Sequence, residues 1–164
     1  ALYSPPSNPW LDRMLREARA AHKSELIPRD NSARILVKRL TAGRVIGMLV
    51  DREVKDGGKL IPFFGRDKST TIMPAKLALK FDCDLIPVQV ERTKGAHFRV
   101  IFHPPLRATN PRACEADQAI DLMRQLNELF EDWIHQQPED WFCTKRIWPK
   151  HQPGNDDNAR RERA

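Results

Sequence analysis

The sequence predicts an α/β fold in which a mixed, mainly parallel sheet is flanked by helices. The apolar run at residues 45–50 is typical of a strand that is covered on both faces. A second run, "DLIPVQV", follows after a helix-length segment, so we expect residues 85–90 to form its parallel partner. A strand, a helix and a parallel strand in this order make a βαβ unit.

Helices are predicted from their caps and from apolar spacing. Asn8 and Pro9 predict a helix over residues 9–23, because Asn caps helix N-termini and Pro is tolerated at the first helical position. Asn31 or Ser32 caps a second, short helix, which Gly43 ends. A long helix over residues 116–137 carries an apolar stripe that we expect in the core.

One further strand makes the predicted sheet mixed. The segment "AHFRVIFH" alternates in the period of a strand, and the tight turn "TKGA" precedes it. We therefore expect it to pair with its neighbour in the chain.

Composition is typical of one domain with an anionic partner. The chain has 164 residues, of which 40% are hydrophobic, and we expect residues 1–150 to belong to a single domain. Residues 151–164 are polar and predict a disordered tail. The net charge of +6 favours nucleic acid, an acidic protein or a phosphate-bearing lipid. No apolar run approaches the roughly 20 residues that span a bilayer.

No cofactor or metal is expected. The cysteines at positions 83, 114 and 143 match no metal-ligand spacing. The glycines at 57 and 58 match no phosphate-binding loop, so nucleotide binding has no direct support from a motif.

Candidate binding residues follow the first predicted strand and precede a helix. In an α/β sheet, ligands gather at the carboxyl ends of strands, which points to Asp51 and Arg52. The same residues also occur as structural ion pairs in loops. The hydroxyls of Thr70 and Thr71 precede the helical segment "IMPAKLALKF" and suit either an anion or simple capping.

Several blocks occur in an order that resembles a known family. They are "LYSPPSNPWLDR", "GMLVD", "PFFGRDKSTT", "LALKFDCDLIPVQVER", "AHFRVIFHPPL" and "PEDWFCTKRIWPK". Together they resemble the lipid A biosynthesis acyltransferases, the lauroyl or late acyltransferases, over residues 2 to about 150. Ser4 stands where that family usually has an arginine.

The resemblance implies a fold and an activity. The fold would be the C-terminal part of a lysophospholipid-acyltransferase-like domain. The activity would be acyl transfer from an acyl carrier protein to a hydroxyl of a lipid A precursor, at the cytoplasmic face of the inner membrane. No nucleic-acid partner is expected on this interpretation. The alternative is a non-catalytic basic module that binds anionic lipid, an acidic protein or nucleic acid.

The resemblance also implies substrate-binding residues. Phe63 and Phe64 would shape the entrance for the acyl chain and lipid, or they pack a sheet edge. Arg92 lies in a matching block. Lys145 and Arg146 suit lipid phosphates or the acidic carrier protein, or they belong to a solvated C-terminal cap.

The family's catalytic motif is H-x-x-x-x-D or H-x-x-x-x-E, whose histidine deprotonates the acceptor hydroxyl. We expect this motif upstream of the blocks found here, so no catalytic residue is assigned and the chain alone is expected to be inactive. Two literal matches occur, His135 to Asp140 and His151 to Asp156. Pro138 interrupts the first and the second lies in the polar tail, so both are interpreted as coincidental.

Overall fold

The computed structural model describes residues 1–20, 25–29, 32–52, 54, 57–141, 143 and 146–148. Helices and short strands alternate along this part of the chain. The strands are β1 (Leu2–Tyr3), β2 (Ile27–Pro28), β3 (Lys59–Phe63), β4 (Arg66–Thr70), β5 (Val88–Lys94) and β6 (His97–Phe102). The helices are α1 (Pro9–Ala20), α2 (Ala33–Thr41), α3 (Met73–Lys80), α4 (Glu115–Gln136) and a short 3₁₀ helix (Pro138–Asp140).

The strands form separate pairs, and the predicted mainly parallel sheet is wrong for the described residues. β1 pairs with β2 in parallel, whereas β3 with β4 and β5 with β6 form antiparallel hairpins. The second hairpin confirms the predicted turn at "TKGA", where Gly95 has a φ of 57°. The coarser α/β class is confirmed.

The predicted strand at residues 45–50 is also wrong. This segment has no regular structure, although the N–H of Leu2 donates to the carbonyl of Gly47 at 2.9 Å. Val45 and Leu49 are 98% and 85% exposed, while Val50 is buried. An apolar run shows that a segment is compatible with a strand, but it cannot show which neighbour supplies the hydrogen bonds. Of the predicted partner, residues 85–90, only residues 88–90 lie in a strand, and that strand is β5, which pairs with β6.

The three predicted helices are confirmed as α1, α2 and α4. Asn8 caps α1, because its Oδ1 accepts a hydrogen bond from the N–H of Trp10 at 3.0 Å. Gly43, at a φ of 67°, follows the end of α2. Ser32 occupies the N-cap position of α2, but its side chain makes no capping hydrogen bond. Asn31, the other predicted cap, lies outside the described residues.

The predicted disordered tail, residues 151–164, also lies outside the described residues. No helix in the described part of the chain combines the length and apolar character needed to cross a bilayer.

The core lies where α4 and α3 meet the β3–β4 hairpin. The predicted stripe of α4 is confirmed at its centre, and the buried core residues are Val50, Ile61, Ile72, Ala75, Ala119, Leu122, Met123 and Leu126. The buried Asn127 joins helix to hairpin, since its Nδ2 donates to the carbonyl of Pro62 at 3.0 Å. The C-terminal segment closes over the hairpin, where Trp148 Nε1 donates to the carbonyl of Phe63 at 3.1 Å.

Candidate functional site

A cavity of about 900 Å³ lies between the Asp51 loop, the start of β5, the C-terminal half of α4 and the C-terminal segment. One wall is apolar and is formed by Phe130, Trp133, Ile134 and Trp141. Further apolar lining residues come from the irregular segment at 45–50 and from β5, namely Met48, Leu49, Val88 and Val90. A volume of this size suits a hydrocarbon chain or a comparable apolar ligand.

Polar and charged groups line the same cavity. Arg29, Arg52 and Arg146 are among the lining residues, and all three are exposed. The acidic lining residues are Asp51 and Asp140. The predicted residues Asp51, Arg52 and Arg146 are therefore brought together around one cavity, although their part in binding a substrate stays a prediction.

The parallel pairing of β1 with β2 brings Arg29 to this cavity. The N–H of Arg29, which follows β2, donates to the carbonyl of Tyr3 at 2.9 Å, so Arg29 lies next to the end of β1, where Ser4 follows. Ser4 lines the cavity as well. A main-chain bond thus positions the backbone of Arg29, and the residue is exposed.

Lys68 supports the Asp51 loop from inside the protein. Its side chain is buried, and its Nζ donates to the main-chain carbonyl of Asp51 at 2.9 Å. The ammonium also lies 4.3 Å from the ring centroid of Phe63. Burial lowers the pKa of Lys68 to about 8, and the nearby Asp51 carboxylate opposes part of that shift. The cation consequently ties the loop that carries Asp51 and Arg52 to the β3–β4 hairpin.

Phe63 and Phe64 lie behind the cavity wall. Phe63 is fully buried, whereas Phe64 occupies the hairpin turn at a φ of 51°. Their rings meet edge to face with centroids 4.8 Å apart. Trp141 contacts both rings, at 6.0 and 6.1 Å, and itself lines the cavity. The pair therefore packs the hairpin and reaches the cavity through Trp141.

Three other predicted residues are engaged within the protein. Thr70 is fully buried, and its Oγ1 donates to the carbonyl of Lys68 at 3.3 Å. Thr71 Oγ1 accepts a hydrogen bond from the N–H of Met73, the first residue of α3, at 3.3 Å. This contact agrees with the capping alternative rather than with anion binding. The Arg92 guanidinium donates to the carbonyl of Gly95 at 2.9 Å. Lys145 lies outside the described residues.

The His135 and Asp140 match is not arranged as a catalytic pair. His135 is exposed in the last turn of α4, and its ring lies 5.1 Å from that of Phe64. The Asp140 carboxylate accepts instead from the N–H of Arg92 at 3.0 Å. No hydrogen bond joins these two described residues. His151 and Asp156 lie outside the described residues.

Comparison with protein families decides the assignment. A family described as bacterial lipid A biosynthesis acyltransferase matches residues 1–150. The chain belongs to this family. The lipid A acyltransferase assignment agrees with the resemblance of the ordered blocks, and it covers both hairpins and the whole lining of the cavity.

Curated relatives have a related name. Phosphatidylinositol mannoside acyltransferases from Mycobacterium tuberculosis, strain CDC 1551 / Oshkosh and strain ATCC 25618 / H37Rv, are each 27% identical to the chain over 129 residues. The match covers 76% of this chain and 38% of each relative. The chain therefore spans well under half the length of the curated relatives it matches.

Sequence reasoning missed Arg29 and Lys68. The two-residue strands that place Arg29 are too short to give a periodic signal. Lys68 had a usable signal, since it shares a strand face with Thr70 at a spacing of two residues. A lysine on an inward face is rare, so its charge gives no reason to expect a buried residue at this position.

Proposed function

We propose that the protein acts in the transfer of a fatty acyl group from an acyl carrier protein to a hydroxyl of a lipid A precursor, at the cytoplasmic face of the inner membrane. The observation that carries this proposal is the family match over residues 1–150, within which the chain forms a cavity lined by apolar residues and by three arginines. The apolar residues suit an acyl chain, and arginines suit a phosphate-bearing acceptor.

The reaction is an acyl transfer between a thioester and an alcohol. The acceptor oxygen attacks the thioester carbonyl, the C–S bond breaks, and an ester and a free thiol form. A histidine base takes the hydroxyl proton and returns it to the departing thiolate, so that atoms and charge balance. In this proposal the histidine and its carboxylate belong to sequence upstream of residue 1, and the residues described here bind and orient the substrates.

The C-terminal segment is the proposed contact for the acyl donor. An acidic carrier protein would be attracted to cations, and Arg146 is an exposed residue that lines the cavity, with Lys145 preceding it in the sequence. Trp141 also lines the cavity and contacts the ring of Phe63. The donor thioester would therefore arrive where the apolar wall begins.

The relatives suggest a second acceptor for testing. Their names specify phosphatidylinositol mannoside, so a glycosylated phospholipid is the alternative acceptor class to a lipid A precursor. Both molecules combine hydrocarbon chains, phosphate and free hydroxyls. The two acceptors can be compared directly in one assay.

The test is acyl transfer from lauroyl or myristoyl acyl carrier protein to each acceptor. The chain is compared with a version extended upstream on its own gene. Transfer by the extended version alone supports the proposal, and the preferred acceptor identifies the substrate class. His135→Ala in the extended version is the control, and we expect its rate to be unchanged.

Two results would oppose the proposal. No transfer by either version, with binding of the acceptor retained, favours the non-catalytic binding module. Transfer by the chain alone that is lost in His135→Ala would show that the His135 motif is catalytic, against the geometry found here.

A further inference from the structure

Helix α1 contacts the rest of the protein through its polar side. The hydroxyl of the buried Tyr3 donates to Asp12 Oδ1 at 3.2 Å, and the guanidinium of Arg16 lies 5.6 Å from the centroid of the Tyr3 ring. The apolar side is exposed instead, at 68% for Trp10, 47% for Leu11 and 46% for Met14. A surface helix normally turns its apolar stripe toward the core, so the orientation of α1 is reversed.

The exposure extends over the whole helix. The structure describes all twelve residues of α1, and none of them is buried. Asp12 and Leu15 are half-buried, and the others are exposed. A helix of this length gains most of its stability from the packing of its apolar face. The apolar face of α1 is therefore a surface on which a partner can be placed.

Positive charge is concentrated in the same part of the chain. Residues 1–44 contain nine lysines and arginines and four acidic residues, a net charge of +5 out of the +6 of the whole chain. Such an asymmetry is typical of proteins that bind nucleic acid or a membrane surface. The apolar face of α1 favours the membrane, because nucleic acid offers no hydrocarbon in which Leu11 and Met14 can be buried.

We propose that α1 lies in the surface of an anionic phospholipid bilayer, with Trp10, Leu11 and Met14 against the acyl chains and its arginines at the phosphates. Helices of this kind combine large apolar residues on one face with arginine or lysine on the other. Tryptophan is enriched where the headgroups meet the hydrocarbon.

The arginines of α1 are available to lipid phosphates. Arg13 and Arg16 pair at 2.8 Å with Glu17 and Asp12 of the same helix, but exposed pairs of this kind contribute little to stability. Arg19 makes no ion pair or hydrogen bond with any side chain that the structure describes.

The position of α1 connects this surface to the cavity. Tyr3, which contacts α1, ends β1, and the next residue, Ser4, lines the cavity. This inference rests on the proposed function in that a lipid acceptor would reach the cavity from the bilayer on which α1 lies.

The experiment is cosedimentation of the purified protein with vesicles of phosphatidylcholine alone and of an equimolar mixture with phosphatidylglycerol. We expect tighter binding to the mixture. Leu11→Ser should weaken this binding about tenfold, the effect of withdrawing most of one leucine side chain from hydrocarbon. Arg19→Gln should weaken it about fivefold, the effect of one cation at an anionic surface.

Matched variants separate α1 from general stickiness and charge. Leu60 is 65% exposed on β3, and Arg112 is exposed outside the helices, so Leu60→Ser and Arg112→Gln should leave vesicle binding unchanged. All four substituted residues are exposed, so urea unfolding should show the stability of the parent protein in each variant.

Tryptophan fluorescence locates the bound lipid. Brominated phospholipids in the vesicles should quench the protein, and Trp10→Phe should lose most of that quenching while it still binds. Quenching that is unchanged in Trp10→Phe would place the lipid at other tryptophans, such as Trp133 and Trp141 of the cavity, and would overturn the inference.

Three further results would overturn it. The first is equal weakening by Leu60→Ser and Leu11→Ser. The second is binding to a DNA duplex, weakened by Arg19→Gln, without binding to vesicles. The third is vesicle binding by the chain but not by the version extended upstream, because the apolar face of α1 would then be covered within the protein.

Activity assays distinguish this inference from the proposed function. In the extended version, Leu11→Ser should slow acyl transfer to an acceptor held in vesicles but not to the same acceptor dispersed in detergent. Vesicle binding through α1 without any transfer would support the inference and refute the proposed function. Transfer that Leu11→Ser leaves unchanged in both preparations, with no binding to vesicles, would do the reverse.

Discussion

The chain contains two antiparallel hairpins whose apolar faces differ in exposure. The β3–β4 hairpin packs against α4, and its residues Ile61, Phe63, Lys68 and Thr70 are all buried. On the β5–β6 hairpin, one face carries apolar residues in register, with exposures from 41% to 72%: Val88, Val90, Phe98, Val100 and Phe102. The face with the more apolar composition is therefore the more exposed one.

The difference shows that burial depends on what covers a strand rather than on its own residues. The β3–β4 hairpin even encloses a lysine, because the Lys68 ammonium donates to the carbonyl of Asp51 and lies over the ring of Phe63. The β5–β6 face instead continues into the cavity, since Val88 and Val90 line it. We infer that the first hairpin is a scaffold, and that the second presents apolar surface beside the cavity.

The largest expected effect is the loss of a ring from the buried hairpin. Phe63→Ala removes a fully buried side chain that contacts Phe64, Trp141 and Trp148, so we expect the free energy of unfolding to fall by about 3 to 5 kcal/mol. Urea unfolding followed by circular dichroism measures it.

Phe102→Ala is the matched change on the other hairpin. Phe102 is 72% exposed, so we expect a loss of less than about 1 kcal/mol. Equal losses from the two substitutions would show that the β5–β6 face is covered in solution, and the contrast between scaffold and exposed surface would not hold.

The second effect concerns the charge inside the scaffold. Lys68 has a pKa lowered from 10.5 to about 8, so between these values the unfolded chain binds more protons than the folded one. Stability should therefore rise with pH through this window, because the penalty for burying the charged form is present below it and is relieved above it. The rise attributable to Lys68 is about 3 kcal/mol.

Paired variants isolate this dependence on pH. Lys68→Met should lack the rise, whereas Lys76→Met, on the exposed side of α3, should retain it. Urea unfolding at several pH values measures both. The same slope in all three proteins would mean that Lys68 titrates as an exposed lysine does.

Local signals predicted the helices and much of one hairpin, but not how the strands are arranged. Asn8, Gly43 and the stripe around Leu122 act through neighbours within a few residues, and each was confirmed. Residues 45–50 required a distant partner, which composition cannot identify. The same holds for the candidate site. Asp51 and Arg52 were predicted because they directly follow a predicted strand in the sequence. Arg29 was not, because it reaches the cavity through a parallel pairing of strands some 25 residues apart in the chain.

A smaller effect tests how the C-terminal segment holds the scaffold. Trp148→Phe keeps an aromatic ring but removes the hydrogen bond to the carbonyl of Phe63, so we expect a loss of about 1 kcal/mol. Trp10→Phe, at an exposed position of α1, should have no effect on unfolding. An unchanged stability in Trp148→Phe would place the C-terminal segment outside the cooperative core.

The smallest effects compare the turns of the two hairpins. Gly65 and Gly95 have φ values of 68° and 57°, and no atom lies within 4 Å of a Cβ added at either position. Alanine at each site therefore introduces backbone strain without a clash, at a cost of about 1 kcal/mol. Global unfolding of Gly65→Ala and Gly95→Ala, with native-state hydrogen exchange of β3 and β5, measures the cost and its location.

Equal losses of global stability would show that both hairpins unfold in one cooperative unit. A loss for Gly65→Ala alone, with faster exchange confined to β5 and β6 in Gly95→Ala, would show that the exposed hairpin opens separately. In that case the apolar surface beside the cavity could reorganise around a lipid while the scaffold that holds Asp51 stays folded.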